Sequence, residues 1–319
     1  MSANKVRRPA KAKRSPVPQI SEAGEGALAR YAKNLRDHED LAAATLRNYL
    51  GDLRQFAAWC EATWAEGTES EQPFDPASVA TPTITAYRSH LQDVVGLRPT
   101  TVNRALVSIK RYFAWASEVG LVVRDPSRIV KLVNQEVVPP RQLSNQEENA
   151  LVAAVIAGGS LRDVTMIVLT LHTGLRAGEV CSLTSAQVHL GRRSGTLDVR
   201  GKGNKYREVP LNASARAALN EYLPTQAPDA PYVFPSRRSG RALTERAFGH
   251  LVQRYAARAG LADVSPHDLR HRFGYRMAET VPLHRLAQIM GHDSLNTTMG
   301  YVRGTKADLQ REVEKIAWA

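Results

Sequence analysis

Apolar residues recur at intervals of three and four along most of this chain, and that period dictates a helical protein. Residues 24–38 place Leu28, Tyr31 and Leu35 on one stripe. Residues 42–65 do the same with Leu46, Tyr49, Leu50, Leu53, Phe56 and Ala57. The period returns at 83–95 and at 100–119, where Val102, Leu106, Ile109, Tyr112 and Phe113 share a side. Later helices are expected at 161–172, 213–222, 244–259, 266–279, 282–290, 294–302 and 306–317. Only 196–200 and 206–210 alternate, and they flank Gly201-Lys202-Gly203-Asn204-Lys205, the pattern of a β-hairpin. The fold class that follows is mainly α, with one small antiparallel sheet.

With 319 residues the chain is long enough for two cores. The helical period lapses between Asp125 and Arg141, where Pro139-Pro140 interrupts it. Ser144-Asn145-Gln146-Glu147 then reads as a capping box opening a new helix. The expected division is a disordered basic tail at 1–20, a four-helix domain at 21–131, a linker at 132–142 and a mostly helical domain at 143–319. Residues 66–82, with Gly67, Pro73, Pro76 and Pro82 among acidic and small residues, read as an exposed loop.

Composition excludes several classes. No run of 18 apolar residues exists to span a membrane, and no apolar segment follows the basic N-terminus to make a secretory signal, so the cytoplasm is the expected compartment. Two cysteines, Cys60 and Cys181, make neither a disulfide framework nor a four-ligand zinc site. No phosphate-binding Gly-x-x-x-x-Gly-Lys-Ser/Thr loop, no carboxylate cluster for a two-metal nuclease and no Gly-x-Ser-x-Gly elbow is present. Neither metal nor cofactor is expected. The net charge is +12, distributed as +6 over 1–20, −1 over 21–131 and +7 over 132–319. A basic body with a basic tail suits a polyanion, and nucleic acid is the commonest one.

The second domain carries cationic and imidazole residues at the boundaries of its elements. Arg176 follows Gly174, which stops a buried helix, and Glu179 lies one turn on. Lys202 sits in the hairpin turn, His267-Asp268-Leu269-Arg270-His271 opens a helix after Pro266, Gly291-His292 ends another, and Tyr301 follows. Singly these are weak signals. A second His-x-x-Arg, His189 to Arg192, is expected to carry no chemistry.

The ordered set, with the words His-Thr-Gly-Leu-Arg-x-x-Glu, Gly-Lys-Gly-Asn-Lys-x-Arg-x-Val-Pro-Leu, His-Asp-Leu-Arg-His and Gly-His before Thr-Thr-x-x-Tyr, resembles the tyrosine recombinase (phage integrase) family. The resemblance runs over about residues 24–319 and includes Thr-Leu-x-x-Tyr-x-x-Asp-Leu at 45–53. It implies a SAM-like core-binding domain followed by a catalytic domain, the two forming a C around double-stranded DNA. It also implies strand cleavage without metal or ATP, through a 3′-phosphotyrosyl link and a free 5′-hydroxyl. By motif position Tyr301 would be the nucleophile, and Arg176 and Arg270 would clamp the non-bridging oxygens. Lys202 would protonate the leaving oxygen, His267 would give acid/base or hydrogen-bonding support, and His292 would donate to the phosphate. Glu179 would either orient Arg176 or make a surface salt bridge. Arg104, Lys110 and Arg111, then Arg47 and Arg54, are the candidates for DNA contacts in the first domain.

Four protomers on two DNA sites are implied, with segment 306–319 docking on a neighbour or packing on its own domain. The size is that of a simple Xer-like recombinase without an arm-binding domain, serving resolution or a mobile element. Accessory proteins and target sequence are not readable. Arg272 departs from the family pattern, facing DNA or pairing with an acid. A type IB topoisomerase, a nuclease and a non-enzymatic helical DNA-binding regulator are the competing readings.

Overall fold

The computed structural model describes residues 17–66, 72–135, 141–200, 206–227, 229–291 and 295–301. It divides into two compact units, Met1–Val137 and Val138–Ala319.

The first unit is built from α1 (Glu22–His38), α2 (Ala43–Ala65), α3 (Thr81–Ser89, prolonged by a π-turn at His90–Val94) and α4 (Pro99–Glu118). Ser21 caps α1, its hydroxyl accepting from the Gly24 amide at 3.1 Å, which contributes about 1 kcal/mol. The apolar stripes read from the sequence meet at Phe56, whose ring lies edge-on to Tyr87 and Phe113 at 5.1 and 6.3 Å. Residues 67–71 lie outside the described residues; most of 72–82 is exposed, as the composition suggests, but two side chains are not. Phe74 and Val79 are buried in this core, and the Phe74 amide donates to Glu61 Oε1 at 2.8 Å. A short 3-10 turn, Pro76–Ser78, then leads into α3, which already includes Thr81 and Pro82. Two apolar side chains thus outweigh the polar composition around them. At the other end of the unit, Val130 is buried, and the Val133 amide and carbonyl pair with the Asn103 side chain at 2.7 and 2.9 Å. Residues 1–16 of the basic tail lie outside the described residues, while Ile20 packs on the core.

The second unit runs α5 (Asn145–Ala157), α6 (Leu161–Thr173), α7 (Ala177–Cys181), β1 (Val188–Leu190), β2 (Gly195–Arg200), β3 (Tyr206–Pro210), α8 (Ala213–Tyr222), α9 (Glu245–Arg258), α10 (Pro266–Ala278), α11 (Leu283–Met290) and α12 (Leu295–Met299). The expected capping box is formed: Glu147 accepts from the Ser144 amide at 2.8 Å and the Ser144 hydroxyl accepts from the Glu147 amide at 3.2 Å. The sheet is antiparallel in the order β1-β2-β3, with Leu197 opposite Val209 and Val199 opposite Arg207. Leu197, Val199 and Val209 point into a core shared with α6, α8 and α9. Helix α6 is buried along most of its length, as its richly apolar sequence predicts. Strand β1 and helix α7 were not anticipated, being three and five residues long and too short to show a period. His189 pairs with Asp198 across β1 and β2 at 2.8 Å, a structural role for the second His-x-x-Arg. The expected tail helix at 306–317 lies outside the described residues. No described helix is long and apolar enough to cross a membrane.

Candidate active site

Helix α10 supplies one edge of the site. Pro266 opens it, and Asp268 closes its first turn by accepting from the Ser265 amide at 2.8 Å and hydroxyl at 2.6 Å. From that start, His267, Arg270, His271 and Gly274 fall at i, i+3, i+4 and i+7 and share one face.

Arg270 is buried at 3% exposure. Its Nη1 donates to the Gly174 carbonyl and its Nη2 to the Met290 carbonyl at 2.8 Å. Burial, with Arg176 adding repulsion, lowers its pKa to about 10, so the guanidinium still carries its charge at neutral pH. Gly174 ends α6 in the left-handed conformation at φ 64°, which turns the chain so that Arg176 becomes the residue capping α7.

Arg176 is exposed. It donates through Nη1 to Glu179 Oε1 at 3.0 Å and through Nη2 to the Gly291 carbonyl at 2.7 Å. Glu179 also accepts from the Arg176 amide at 2.7 Å and, bidentately, from Arg207 at 2.9 and 2.8 Å. Burial works to raise the Glu179 pKa, but the pair with Arg207 and the contacts with Arg176 outweigh it and hold the carboxyl below its usual range. The two readings of Glu179 therefore merge: it is a salt bridge, and it orients Arg176.

Arg207 is the residue that the motif reading left unassigned. Its Nε donates to the Ile289 carbonyl at 3.1 Å. The last carbonyls of α11 thus receive three guanidinia in succession, Ile289 from Arg207, Met290 from Arg270 and Gly291 from Arg176. These are the helix-end acceptors that lack an intrahelical partner, at the negative end of the helix dipole. A signal for Arg207 existed, since strand alternation places it on the same face as the buried Val209.

Tyr301 is 8% exposed, its ring edge-on to Tyr275 at 5.2 Å and above Gly274. Its hydroxyl lies 2.9 Å from His271 Nδ1. Burial raises the phenol pKa, while the nearby charges of Arg270 and Arg176 pull it back down. The His267 ring packs on His271 at 4.0 Å between centroids. Desolvation, then Arg270, with a smaller push from Arg176, lowers the His267 pKa.

The structure therefore brings Arg176, Glu179, His267, Arg270 and Tyr301 together. Lys202 and His292 lie outside the described residues; in sequence they stand just before β3 and directly after Gly291. Arg272 is buried and paired with Glu148 Oε2 at 2.5 Å and with Asn145, which makes it a tie between α10 and α5. Among the described residues no group of three or more His, Cys, Asp or Glu could hold a metal ion.

In the first unit, Arg47 and Arg104 line a groove of about 610 Å³ between α2, the end of α3 and α4. Arg104 pairs with Asp52 at 3.0 Å, and Asp52 accepts from Ser108 at 2.8 Å. Arg54 pairs with Glu25, and Arg111 with Glu39 at 2.6 Å while lying over the Tyr49 ring. Lys110 donates to the Ser127 and Arg128 carbonyls at 2.6 and 3.2 Å, holding the segment after α4.

The sequence profile of the phage integrase family matches residues 141–308, and that of the phage integrase N-terminal SAM-like domain matches 28–120. The chain belongs to the phage integrase family. This recombinase is 31% identical over 297 residues to the tyrosine recombinase XerD of Ralstonia nicotianae, with 89% of this chain and 91% of that protein covered. It is 30% identical over 283 residues to the tyrosine recombinase XerC of Mycobacterium sp. strain KMS, covering 83% and 90%. Among solved structures, the XerH recombinase on a palindromic difH substrate after cleavage superposes with a TM-score of 0.71 at 22% identity, over 90% of this chain and 83% of that one. A lambda integrase dimer on a COC′ core site gives 0.67 at 16% identity, over 88% and 96%. These likenesses give the fold; the profiles and the curated relatives make the chain a tyrosine site-specific recombinase, and the topoisomerase and regulator readings gain no support.

Proposed function

We propose that this recombinase cuts double-stranded DNA by attack of Tyr301 Oη on the scissile phosphorus, leaving a 3′-phosphotyrosyl link and a free 5′-hydroxyl. The observation that carries the reading is the meeting of one buried phenol with two convergent guanidinia. Arg270 and Arg176 stand near enough to Tyr301 to draw its pKa down against the effect of burial. A planar, permanently charged donor suits the two non-bridging phosphate oxygens. Negative charge builds on those oxygens in the transition state, so a pre-set pair of guanidinia stabilises that state more than the ground state. Lys202 protonates the departing 5′-oxygen, His292 donates to the phosphate and His267 supports proton movement.

The phosphotyrosine keeps the energy of the broken phosphodiester, so a 5′-hydroxyl from another strand reseals the link without ATP or a metal. Strand exchange then follows on two sites held by four protomers, in the cytoplasm. Arg104 and Arg47 contact phosphate from the groove on the first unit, while Lys110, Arg111 and Arg54, each held by a partner within the unit, are weaker candidates.

The test is a covalent trap on nicked duplexes drawn from the DNA flanking the gene, with the linked peptide mapped by mass spectrometry. The expected adduct is on Tyr301 and is absent in Tyr301→Phe. An adduct on another residue overturns the assignment. Sizing the complex on paired sites tests the tetramer.

A further inference from the structure

Tyr301 has to lose its phenolic proton as it attacks. The phenol is buried, so bulk water is poorly placed to receive that proton, and its pKa is raised, so it starts protonated at neutral pH. An imidazole is already in contact with it: His271 Nδ1 stands 2.9 Å from Tyr301 Oη. The two ring centroids are 5.5 Å apart at 59°, so the rings are not stacked and the contact runs through the heteroatoms. His271 holds this place because α10 puts it one turn beyond His267, on the face that Gly274 opens to the tyrosine ring.

We propose that His271 Nδ1 accepts the Tyr301 proton during cleavage and returns it on resealing, making His271 a catalytic residue beyond the motif set. The proposal rests on Tyr301 being the nucleophile. In the step, the Oη–P bond forms and the P–O5′ bond breaks. The phenolic proton moves to His271, and the 5′-oxygen takes a proton from Lys202. For this the imidazole enters neutral, with its own proton on Nε2 and the Nδ1 lone pair toward the phenol. Among the described residues, His267 from its own helix and Tyr301 from the segment after α12 lie against the His271 ring, while Tyr275, Arg270 and Arg176 act on the same phenol. Arg270 and Arg176 act on the Tyr301 phenol itself, where both favour the charged form. They thereby stabilise the phenolate character that develops as the proton leaves.

The experiment measures single-turnover formation of the covalent complex on a nicked duplex, using the full chain. His271→Ala is expected to slow it roughly 100- to 10,000-fold, the usual range for loss of a proton acceptor. DNA affinity should be unchanged, and added imidazole should recover part of the rate. His271→Asn keeps a hydrogen-bond acceptor near the phenol but takes no proton, so it should be as slow as the alanine variant. It also serves as the informative variant if the alanine form folds poorly. Wild-type rates in either variant overturn the proposal, as does a slow His271→Ala that imidazole does not accelerate. Covalent complex in Tyr301→Phe would defeat the nucleophile assignment itself. A dead Tyr301→Phe beside a fully active His271→Ala would defeat only the role given to His271.

Discussion

Gly274 offers a sharp test of how finely Tyr301, the proposed nucleophile, is placed. A Cβ added there would lie 2.7 Å from Tyr301 Cζ and 2.8 and 2.9 Å from the two Cε atoms, directly beneath the carbon that bears the reactive oxygen. Carbon atoms settle at about 3.5–4.0 Å, so the ring must move by about 1 Å. A shift of that size at a reacting group costs about 100-fold in rate, or about 2.7 kcal/mol of barrier. Stability should move the other way, or not at all. Gly274 is in the body of α10, where alanine is favoured over glycine by roughly 1 kcal/mol, and this offsets packing lost as the ring shifts. Gly274→Ala should therefore melt at or above the wild-type temperature, bind DNA normally and form covalent complex about 100-fold more slowly. Thermal unfolding beside single-turnover cleavage reads both quantities. A variant cleaving at the wild-type rate would show that the ring contact has no bearing on chemistry. A loss of more than about 2 kcal/mol of stability would mean that the ring cannot yield and the site is overpacked instead.

Arg207→Lys keeps the charge but loses the bidentate pair with Glu179 and the Nε bond to Ile289, so cleavage should fall about tenfold or more with DNA affinity retained; an unchanged rate would remove Arg207 from the site's support. Arg272→Ala leaves the largely buried Glu148 with Arg276 as its one ion-pair partner among the described residues, and denaturant unfolding should register a loss of about 3 kcal/mol. Arg104→Ala should lower the slope of log affinity against log salt by about one unit, whereas Lys110→Ala should chiefly reduce thermal stability, since Lys110 is spent on two backbone carbonyls. Glu179 has a folded pKa below its ordinary 4.5, so its stabilisation is complete above that value and drains away as pH falls through the folded value. The stability gap between wild type and Glu179→Gln should accordingly be open at pH 7 and close in the acid range, and a gap that widens on acidification would contradict the assignment.

The helices were legible because each buries a stripe long enough to repeat. Phe56 and Phe113 could be placed in a core from spacing alone, as could the strand residues flanking the Lys202 turn. Elements of three to five residues, β1 and α7, carry no such repeat. The burial of Phe74 was illegible for a related reason: two apolar residues in a polar segment have no period to reveal them. Partners distant in sequence were beyond reading altogether. Nothing local to Arg272 announces Glu148, 124 residues away, and nothing local to His271 announces Tyr301, 30 residues on. Arg207 lies between these cases. Its face was deducible from the alternation of β3, and a charge on the inward face of a strand calls for a carboxylate; which one required the fold.

The arrangement around α11 explains how like charges are held together before any phosphate arrives. Arg176, Arg207 and Arg270 converge on one helix end, and repulsion contributes to the lowered pKa of Arg270, with Arg176 next after burial and Arg207 a smaller influence. Three successive orphan carbonyls and the Glu179 carboxylate supply what counters it. A guanidinium has five N–H donors, and Arg176 commits two of them, one to Glu179 and one to Gly291. Its remaining donors suit an incoming phosphate without giving up either anchor. The proposed phosphate clamp is thus pre-set by backbone carbonyls and the Glu179 carboxylate. That is the condition under which such groups act most strongly on a transition state.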